Sequence, residues 1–387
     1  MSTLTPVLDR YRRVVGIAAT GAVLAIAAAG CGSSGDNGSS TSGSSTPGSS
    51  TSSSNSAVSQ AQTVLAQGAQ RPSEITVSKP IGKPIPSGKK LAFISCGTSQ
   101  CQLQGKIIQE AAGHLGWSSK TIATDGSPSQ IQDAFTTALR DGVDGIILNA
   151  ATRAAIAKQL AQAKAKGVAY VGCCSTDQVG DGYLYNTSTP EQNARIGKYL
   201  AAAIVADSKG KANTLYVDIP AFTILGALGD SFKKDYQSYC PSCGYAKIDV
   251  PLPRLGDSPN IIVSYLRSHP DVNYVALSVT DALGTGLPAA LKAAGLTKVK
   301  IVGQGGDPTA FQALKQGQIL ALVPFDYYDV DYQMIDALAR HWAGEPIEQT
   351  PPPLWLLTKD NLPSEYTKLF PNVSDYQGKF LKLWGKA

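Results

Sequence analysis

Short apolar runs alternate with helix-length amphipathic segments from Lys90 to about residue 323, and this alternation limits the possible folds more than any other feature. A short apolar run between turn-forming residues is typical of a buried strand, whereas apolar residues spaced at about 3.6 positions are typical of a helix. Strands that alternate with helices run parallel in one sheet. The sequence therefore predicts an α/β fold with parallel sheets.

The alternation occurs twice along the chain. The predicted strands lie at residues 91–95, 120–123, 145–149 and 168–172, and then, after a helix at 190–207, at 214–217, 246–250, 274–277, 300–303 and 320–323. The other predicted helices lie at residues 104–115, 129–140, 153–166, 228–239, 258–268, 283–294 and 309–316. Ligands of such doubly wound sheets bind beyond the carboxyl ends of the strands. Two lobes of this kind predict a cleft lined by the loops that follow the strands.

The first 30 residues have the character of an export signal. A basic segment at residues 10–13 precedes an apolar run at 14–29, whose 16 residues are fewer than the roughly 20 of a spanning helix. The run ends in Ala28-Ala29-Gly30-Cys31, which resembles the bacterial lipobox except that Ala28 stands where Leu is usual. The resemblance implies a lipoprotein signal peptide, a lipid on Cys31, and anchoring to the outer face of the cytoplasmic membrane. The alternative is cleavage by the ordinary signal peptidase with Cys31 unmodified.

A polar, low-complexity segment follows Cys31. Residues 32–56 contain 13 Ser and 5 Gly, and Asp36 is their only charged residue. Such a composition buries too little apolar surface to offset the entropy of ordering, which predicts a flexible tether. A short helix is possible at residues 57–66, and three prolines at 80, 84 and 86 favour an extended approach to a body that begins near residue 88.

The order and spacing of several segments resemble the type I periplasmic binding proteins of the ribose-binding kind, which serve ABC importers. The resemblance covers residues 88–350 and rests on the following segments: 91–105, Asp125, 140–149, 280–284, 294–295 and 301–303. It implies two doubly wound parallel-sheet lobes joined by a hinge that the chain crosses three times, near Asn186, Phe325 and Pro352. It also implies a small-molecule ligand and an ABC permease as partner.

The expected division of the chain follows from these crossings. It comprises a signal peptide at residues 1–30, a Ser/Gly-rich tether at 31–70, an N-terminal lobe from 71–186 and 326–352, a C-terminal lobe at 187–325, and a C-terminal extension at 353–387. The extension contains Trp355 and Trp384 among scattered polar residues, so we expect it to pack on the outside.

The ligand positions of the sugar-binding relatives are changed in this chain. Sugar binders of the family hold hydroxyl groups with charged and amide side chains and with aromatic faces, whereas here the matching positions hold Leu228, Gly305 and other residues of lower polarity. Only Asn149 and Asp281 fit the sugar pattern. The ligand contacts expected from the comparison are Gln102, Leu103, Asn149, Cys174, Ser175, Asp281, Phe325, Asp326 and Tyr327. This set predicts weak binding of free monosaccharides and a ligand with a ring or apolar body and one or two polar groups.

The segment 325–332 carries three Asp and three Tyr beside the expected hinge. One interpretation is that these residues hold an aromatic or cationic ligand by stacking and charge. The other is that Asp329 caps the following helix and that the tyrosines pack between the lobes. We favour the cleft for residues 325–327 and a structural role for Asp329, Asp331 and Tyr332.

Six cysteines remain after Cys31, and in an exported protein they predict disulfides. They are Cys96, Cys101, Cys173, Cys174, Cys240 and Cys243. The CxxC at residues 240–243 is expected to be a structural bridge, because the chain has no second CxxC and its three histidines lie at no metal-ligand spacing. Cys96 and Cys101 bracket the first ligand loop and are expected to close it. Residues 173 and 174 either bond to each other or pair crosswise with Cys96 and Cys101, and buried free thiols are the remaining alternative.

The remaining features argue against catalysis and against nucleic acid. The net charge of +5 is dispersed, no Gly-x-Ser-x-Gly elbow is present, and the glycines at 303–306 lack the Lys-Ser/Thr of a phosphate loop. We therefore expect no enzyme activity, no cofactor and no metal. The expected function is a monomeric, lipid-anchored solute-binding protein that delivers a small molecule to an ABC permease by hinge closure. The alternative is a sensor lipoprotein that presents its ligand-bound state to a membrane receptor or kinase.

Overall fold

The computed structural model describes residues 50–97, 99–284 and 286–387, with only the backbone described at residues 50–55, 99, 100, 281 and 282. The predicted signal peptide, the lipidation residue Cys31 and most of the predicted tether lie outside the described residues. Within the described part of the chain, no helix is both long and apolar enough to cross a membrane.

The first sheet has five parallel strands. They are β1 (Lys90–Ile94), β2 (Ser118–Ile122), β3 (Gly145–Asn149), β4 (Ala169–Cys173) and β5 (Tyr183–Thr187), in the order β2-β1-β3-β4-β5. Every residue of β3 and β4 is buried, as expected for central strands covered by helices on both faces. This sheet forms the N-terminal lobe.

The second sheet has six strands. They are β6 (Asn213–Asp218), β7 (Gly244–Asp249), β8 (Tyr274–Leu277), β9 (Lys300–Gln304), β10 (Ile319–Val323) and β11 (Leu357–Thr358), in the order β11-β10-β9-β8-β6-β7. All neighbouring strands are parallel except β11, which pairs antiparallel with β10. This sheet forms the C-terminal lobe.

Twelve α-helices are described. They are α1 (Ser50–Gly68), α2 (Ser99–His114), α3 (Pro128–Arg140), α4 (Ala157–Ala165), α5 (Pro190–Ser208), α6 (Ile224–Tyr239), α7 (Ser258–Ser268), α8 (Thr280–Leu283), α9 (Leu287–Ala293), α10 (Pro308–Lys315), α11 (Tyr327–Ala343) and α12 (Tyr376–Leu383). Several helices begin with a capping side chain and a proline at the first turn. Thr189, for example, accepts a hydrogen bond from the Gln192 N–H at the start of α5.

The predicted fold class is confirmed, and the departures from the predicted elements have local causes. The predicted helix at 283–294 is divided into α8 and α9 around residues 284–286, where Gly286 has a φ of 76° that breaks a helix. Strand β5 was not predicted, because its sequence Tyr-Leu-Tyr-Asn-Thr lacks an aliphatic run. Burial of four of its five residues comes from tertiary packing.

The chain passes between the lobes within the hinge at three places. It leaves the N-terminal lobe between β5 and α5, returns between β10 and α11, and leaves again between α11 and β11. Helix α11 packs against α2, β4 and β5, which fixes it to the N-terminal lobe.

The two ends of the described chain also pack into the lobes. Helix α1 covers α5 of the C-terminal lobe with buried Ala61 and Val64, so ordered structure extends into the range predicted as tether. The C-terminal extension does not lie on the outside as expected. Trp355 is 2% exposed in the core of the C-terminal lobe, whereas Trp384 is 4% exposed in the core of the N-terminal lobe.

Candidate functional site

A cavity of about 110 Å³ lies where the loops after the strands of the two lobes face each other. Since a single water occupies roughly 10–15 Å³ on the same scale, the cavity has room for a small organic molecule. The N-terminal lobe contributes Cys96, Cys101, Gln104, Asn149, Ala150 and Cys174. The C-terminal lobe contributes Asn193, Phe222, Ile224, Leu225, Val279, Gln304 and Gly305. Ser188, Phe325 and Tyr327 contribute from the hinge and the start of α11.

Four of the predicted ligand contacts line this cavity. They are Asn149, Cys174, Phe325 and Tyr327. Asn149 ends β3, and residue 174 directly follows β4, so both occupy the carboxyl edge of the first sheet. Phe325 precedes α11, and its ring centroid lies 5.0 Å from that of Tyr327, so the two aromatic side chains form one surface beside the hinge.

Gln102 and Leu103 lie away from the cavity, and their neighbours Cys101 and Gln104 take their place. The reason is that α2 begins at Ser99, earlier than predicted, so residues 101 and 104 share the inner face at helical spacing. Leu103 is 39% exposed on the other face.

Ser175 and Asp326 are buried but have structural partners instead of cavity positions. The Ser175 hydroxyl donates to Asp177 at 2.8 Å and shapes the loop after β4. Asp326 caps α11 by accepting from the Asp329 N–H, so the cap is Asp326 and not Asp329 as one interpretation of the sequence had it. The side chain of Asp281 lies outside the described residues.

Three buried polar side chains form a chain of hydrogen bonds that ends at the cavity. The Gln104 amide nitrogen donates to Asp331 at 2.8 Å, and the Asn149 amide nitrogen donates to the Gln104 oxygen at 2.7 Å. Burial raises the pKa of Asp331 well above its ordinary value. The amide oxygen of Asn149 has no hydrogen-bond partner among the described residues, and the amide oxygen of Gln304 in the other lobe is in the same situation. Each lobe thus has one residue of the cavity wall with a buried, unpartnered amide oxygen.

The six described cysteines form three pairs at disulfide distance. The Cα–Cα distances are 5.6 Å for Cys96–Cys101, 3.8 Å for Cys173–Cys174 and 5.3 Å for Cys240–Cys243. The structure therefore has the vicinal pair rather than the crosswise pairing. Because β1 and β4 both neighbour β3, the first two disulfides stand on either side of Asn149 at the cavity wall. The third lies in the C-terminal lobe away from the cavity.

The wall from the C-terminal lobe is largely aliphatic and aromatic. Ile224 and Leu225 lie in the first turn of α6, and Phe222 precedes it. Gly305 has a φ of 92°, which disfavours a side chain, and its N–H donates to the Val323 carbonyl at 2.8 Å. None of the described cavity-lining residues is charged. The sequence comparison missed Phe222, Ile224 and Leu225 because it aligned Leu228, which is fully buried in the core one turn further along α6.

The described residues contain no group of three or more His, Cys, Asp or Glu side chains placed to hold a metal ion. The polar groups at the cavity are amides and the hydroxyls of Ser188 and Tyr327, and sulfur is present in disulfides. Such groups can donate and accept hydrogen bonds and exclude water. The arrangement is suited to holding an uncharged molecule.

Residues 92–346 match the family model described as "Periplasmic binding protein domain". The chain belongs to this family. The family comprises solute-binding proteins of ABC transporters, and the resemblance stated from the sequence is confirmed. No curated protein matches the sequence significantly.

Solved structures share the fold at low sequence identity. A sugar ABC transporter protein from Yersinia enterocolitica has 18% identity and a TM-score of 0.67, with 78% of this chain and 96% of that chain covered. A 5-methylthioribose transporter solute-binding protein from Thermotoga lettingae, in complex with 5-methylthioribose, has 20% identity and a TM-score of 0.64, with 80% and 95% covered. An ABC transporter solute-binding protein from Agrobacterium vitis with bound allitol has 19% identity and a TM-score of 0.63, with 71% and 97% covered.

Proposed function

We propose that the protein is a lipid-anchored extracytoplasmic receptor that binds a small uncharged solute between its lobes and delivers it to an ABC permease by hinge closure. The observation that carries this proposal is the cavity between the two carboxyl strand edges, beside the hinge residue Phe325. A ligand that contacts both lobes stabilises the closed form over the open one, because only the closed form offers both sets of contacts. A permease can then distinguish loaded from empty protein.

The lining of the cavity supports a ligand with an apolar part. Phe222, Leu225 and Phe325 offer apolar surface, whereas Asn149 and Gln304 place one amide side chain from each lobe in the cavity wall, each with a buried oxygen that has no partner among the described residues. An unmodified hexose has hydroxyl groups around the whole ring, and each one buried without a partner costs about 1 to 3 kcal/mol. A charged ligand would find no described counter-charge at the cavity wall. We therefore propose an uncharged ligand with an apolar portion and a few hydrogen-bond donors.

The solved relatives suggest a matched pair of test compounds. The Thermotoga lettingae protein was solved with 5-methylthioribose, which differs from ribose by a methylthio group in place of one hydroxyl. A thermal-shift screen of sugars, alkyl- and thio-substituted sugars, aromatic alcohols and amines tests the ligand class. Binding at 100 times the Kd adds about 2.7 kcal/mol to the free energy of unfolding. We expect shifts from partly apolar, uncharged compounds, with 5-methylthioribose ahead of ribose, and shifts confined to charged amines would contradict the proposal.

The proposed anchor is tested separately through Cys31. A Cys31→Ser variant lacks the thiol that carries the lipid, so it should move from the membrane fraction to the soluble fraction or the medium. A Cys240→Ser/Cys243→Ser variant removes two cysteines of the C-terminal lobe instead and should remain with the membrane. Equal membrane association of the Cys31→Ser variant and the unchanged protein would show that no lipid anchor is attached there.

A further inference from the structure

The segments on either side of the family domain connect the lobes a second time, outside the three hinge crossings. The family model ends at residue 346, and β11 then joins the sheet of the C-terminal lobe. Phe370 lies in the core of that lobe, 4.7 Å from Phe311 between ring centroids. Val373 lies in the core of the N-terminal lobe. Only residues 371 and 372 separate the two buried side chains.

The N-terminal segment makes a similar connection in the opposite direction. Helix α1 packs on the C-terminal lobe, and Val77 is buried in the core of the N-terminal lobe. Residues 69–76 therefore span from one lobe to the other. With the passage at residues 371 and 372, the described chain has two connections between the lobes in addition to those of the hinge.

The two added connections are bonded to each other. The Arg71 guanidinium donates to the carbonyl oxygens of Asn372 at 3.0 Å and Pro371 at 3.1 Å. It also lies over the Trp355 ring at 4.8 Å, and the Trp355 indole N–H donates to the Ala69 carbonyl at 3.1 Å. We name residues 69–76 and 370–373 together the brace.

Asn372 bonds the brace to two of the three hinge crossings. Its backbone N–H donates to the Asp326 carboxylate at 2.9 Å, at the crossing that leads into α11. Its side-chain amide donates to the Pro353 carbonyl at 3.0 Å, at the crossing that follows α11. Asn372 is 1% exposed, so these bonds are shielded from water.

We propose that the brace limits how far the lobes open, with Asn372 and Arg71 as its positioning residues. The proposal rests on the proposed function, in which opening and closing of the hinge admit and hold the solute. Four consecutive residues span at most about 11 Å between the first and the last Cα. Since Phe370 and Val373 are each fixed in a different core, the lobes cannot separate there without exposing an aromatic side chain or unfolding α12. The axis of an opening rotation must therefore pass close to Asn372, or the rotation must break the hydrogen bonds of Asn372. Both conditions favour a small opening angle between the lobes.

The test measures the distance between the lobes in the absence of any ligand, so it does not depend on whether a solute is ever found. Spin labels are placed at Ala154→Cys and Ala221→Cys, exposed positions of the N-terminal and the C-terminal lobe. The parent protein carries Cys31→Ser so that the two labelled residues are the added thiols. Pulsed electron–electron double resonance then gives the distribution of distances between the two spin labels.

We expect a single narrow distribution for the parent and an added population at longer distance for Asn372→Ala and for Arg71→Ala. Asn273→Ala is the matched control, because the Asn273 side chain also bonds two backbone groups, the Lys211 carbonyl and the Asn213 N–H, but lies within the C-terminal lobe and contacts no residue of the brace. Its distribution should equal that of the parent. If Asn372→Ala does not fold, the more exposed Arg71→Ala decides the test. Distributions that are unchanged in the folded brace variants, or already broad in the parent, would overturn the proposal.

Discussion

Asp326 shows how one side chain can serve the hinge and also make stability depend on pH. Burial raises the pKa of Asp326 to about 6, although the N–H groups of Asn372 and Asp329 donate to the carboxylate. Asp329 and Asp331 nearby also have a pKa raised by burial, whereas Arg71 acts in the opposite direction on Asp326. In the folded protein these three carboxyl groups therefore stay protonated up to a higher pH than they do in the unfolded chain.

The sign of the resulting pH dependence follows from the proton balance. Between about pH 4 and pH 6 the folded protein binds more protons than the unfolded chain, so the free energy of unfolding falls as pH rises through this window. Asp326→Asn removes one of these titrating carboxyl groups, so the free energy of unfolding should fall less steeply with pH. Urea unfolding at several pH values from 4 to 7 measures it, with the exposed Asp360→Asn as control. An equally steep decline in Asp326→Asn would show that Asp326 does not carry the effect.

The individual ligand contacts were only partly predictable. Asn149 ends one predicted strand and Cys174 lies two residues beyond another, so their positions at the sheet edge could be derived from the alternation alone. Gln102 and Leu103 were chosen in place of Cys101 and Gln104, because a shift of one residue on a helix turns a side chain by about 100°. The closure of the loop by Cys96 and Cys101 was predicted, but α2 begins at Ser99 and not at residue 104, which moved the inner face of the helix.

Helices and strands with a clear periodicity of apolar residues were predicted from the sequence. Segments whose structure depends on tertiary contacts were predicted only in part or not at all. Strand β3 was placed correctly to the residue, because its three consecutive aliphatic residues between Gly145 and Asn149 have the short length of a buried strand. A short helix at residues 57–66 was expected and lies within α1, but its first turns at residues 50–55, where helix propensity is low, were predicted as tether; α1 packs on α5. Helix α12 similarly depends on Tyr332 and Trp384, whose rings stack at 5.7 Å.

The disulfides at the ends of β1 and β4 give a prediction at the level of these elements. Both strand ends carry a cysteine pair at the cavity wall, and the pairing is local in each case. Peptide mapping of the unreduced, alkylated protein should find all six cysteines oxidised in three local pairs. The peptide that contains residues 173 and 174 should be lighter by two hydrogen atoms than its reduced form. A peptide from the first loop linked to Cys173 or Cys174 would favour the crosswise pairing, and free thiols at residues 240 and 243 would favour a redox role.

At the scale of the whole molecule, the two-lobed architecture and the cleft could be derived from the sequence, whereas the ends of the chain could not. The alternation of strands and helices within 92–346 repeats a common physical pattern. The brace depends on single buried residues such as Phe370 and Asn372 within loops, where no periodicity indicates burial. Long-range contacts of this kind can be found only in the folded structure.

The central claim is that the cleft holds an uncharged, partly apolar solute against Phe325, and calorimetry tests it most directly. The strongest compound from the thermal-shift screen is titrated beside free ribose, glucose and galactose, into the unchanged protein, Phe325→Ala and the control Tyr265→Ala on α7. Lost stacking and burial in Phe325→Ala should cost about 1 to 3 kcal/mol of binding free energy, and Tyr265→Ala should cost none. The account predicts weak or absent binding of the free monosaccharides. Micromolar binding of an unmodified monosaccharide that Phe325→Ala leaves unchanged would contradict both the ligand class and the position of the cleft.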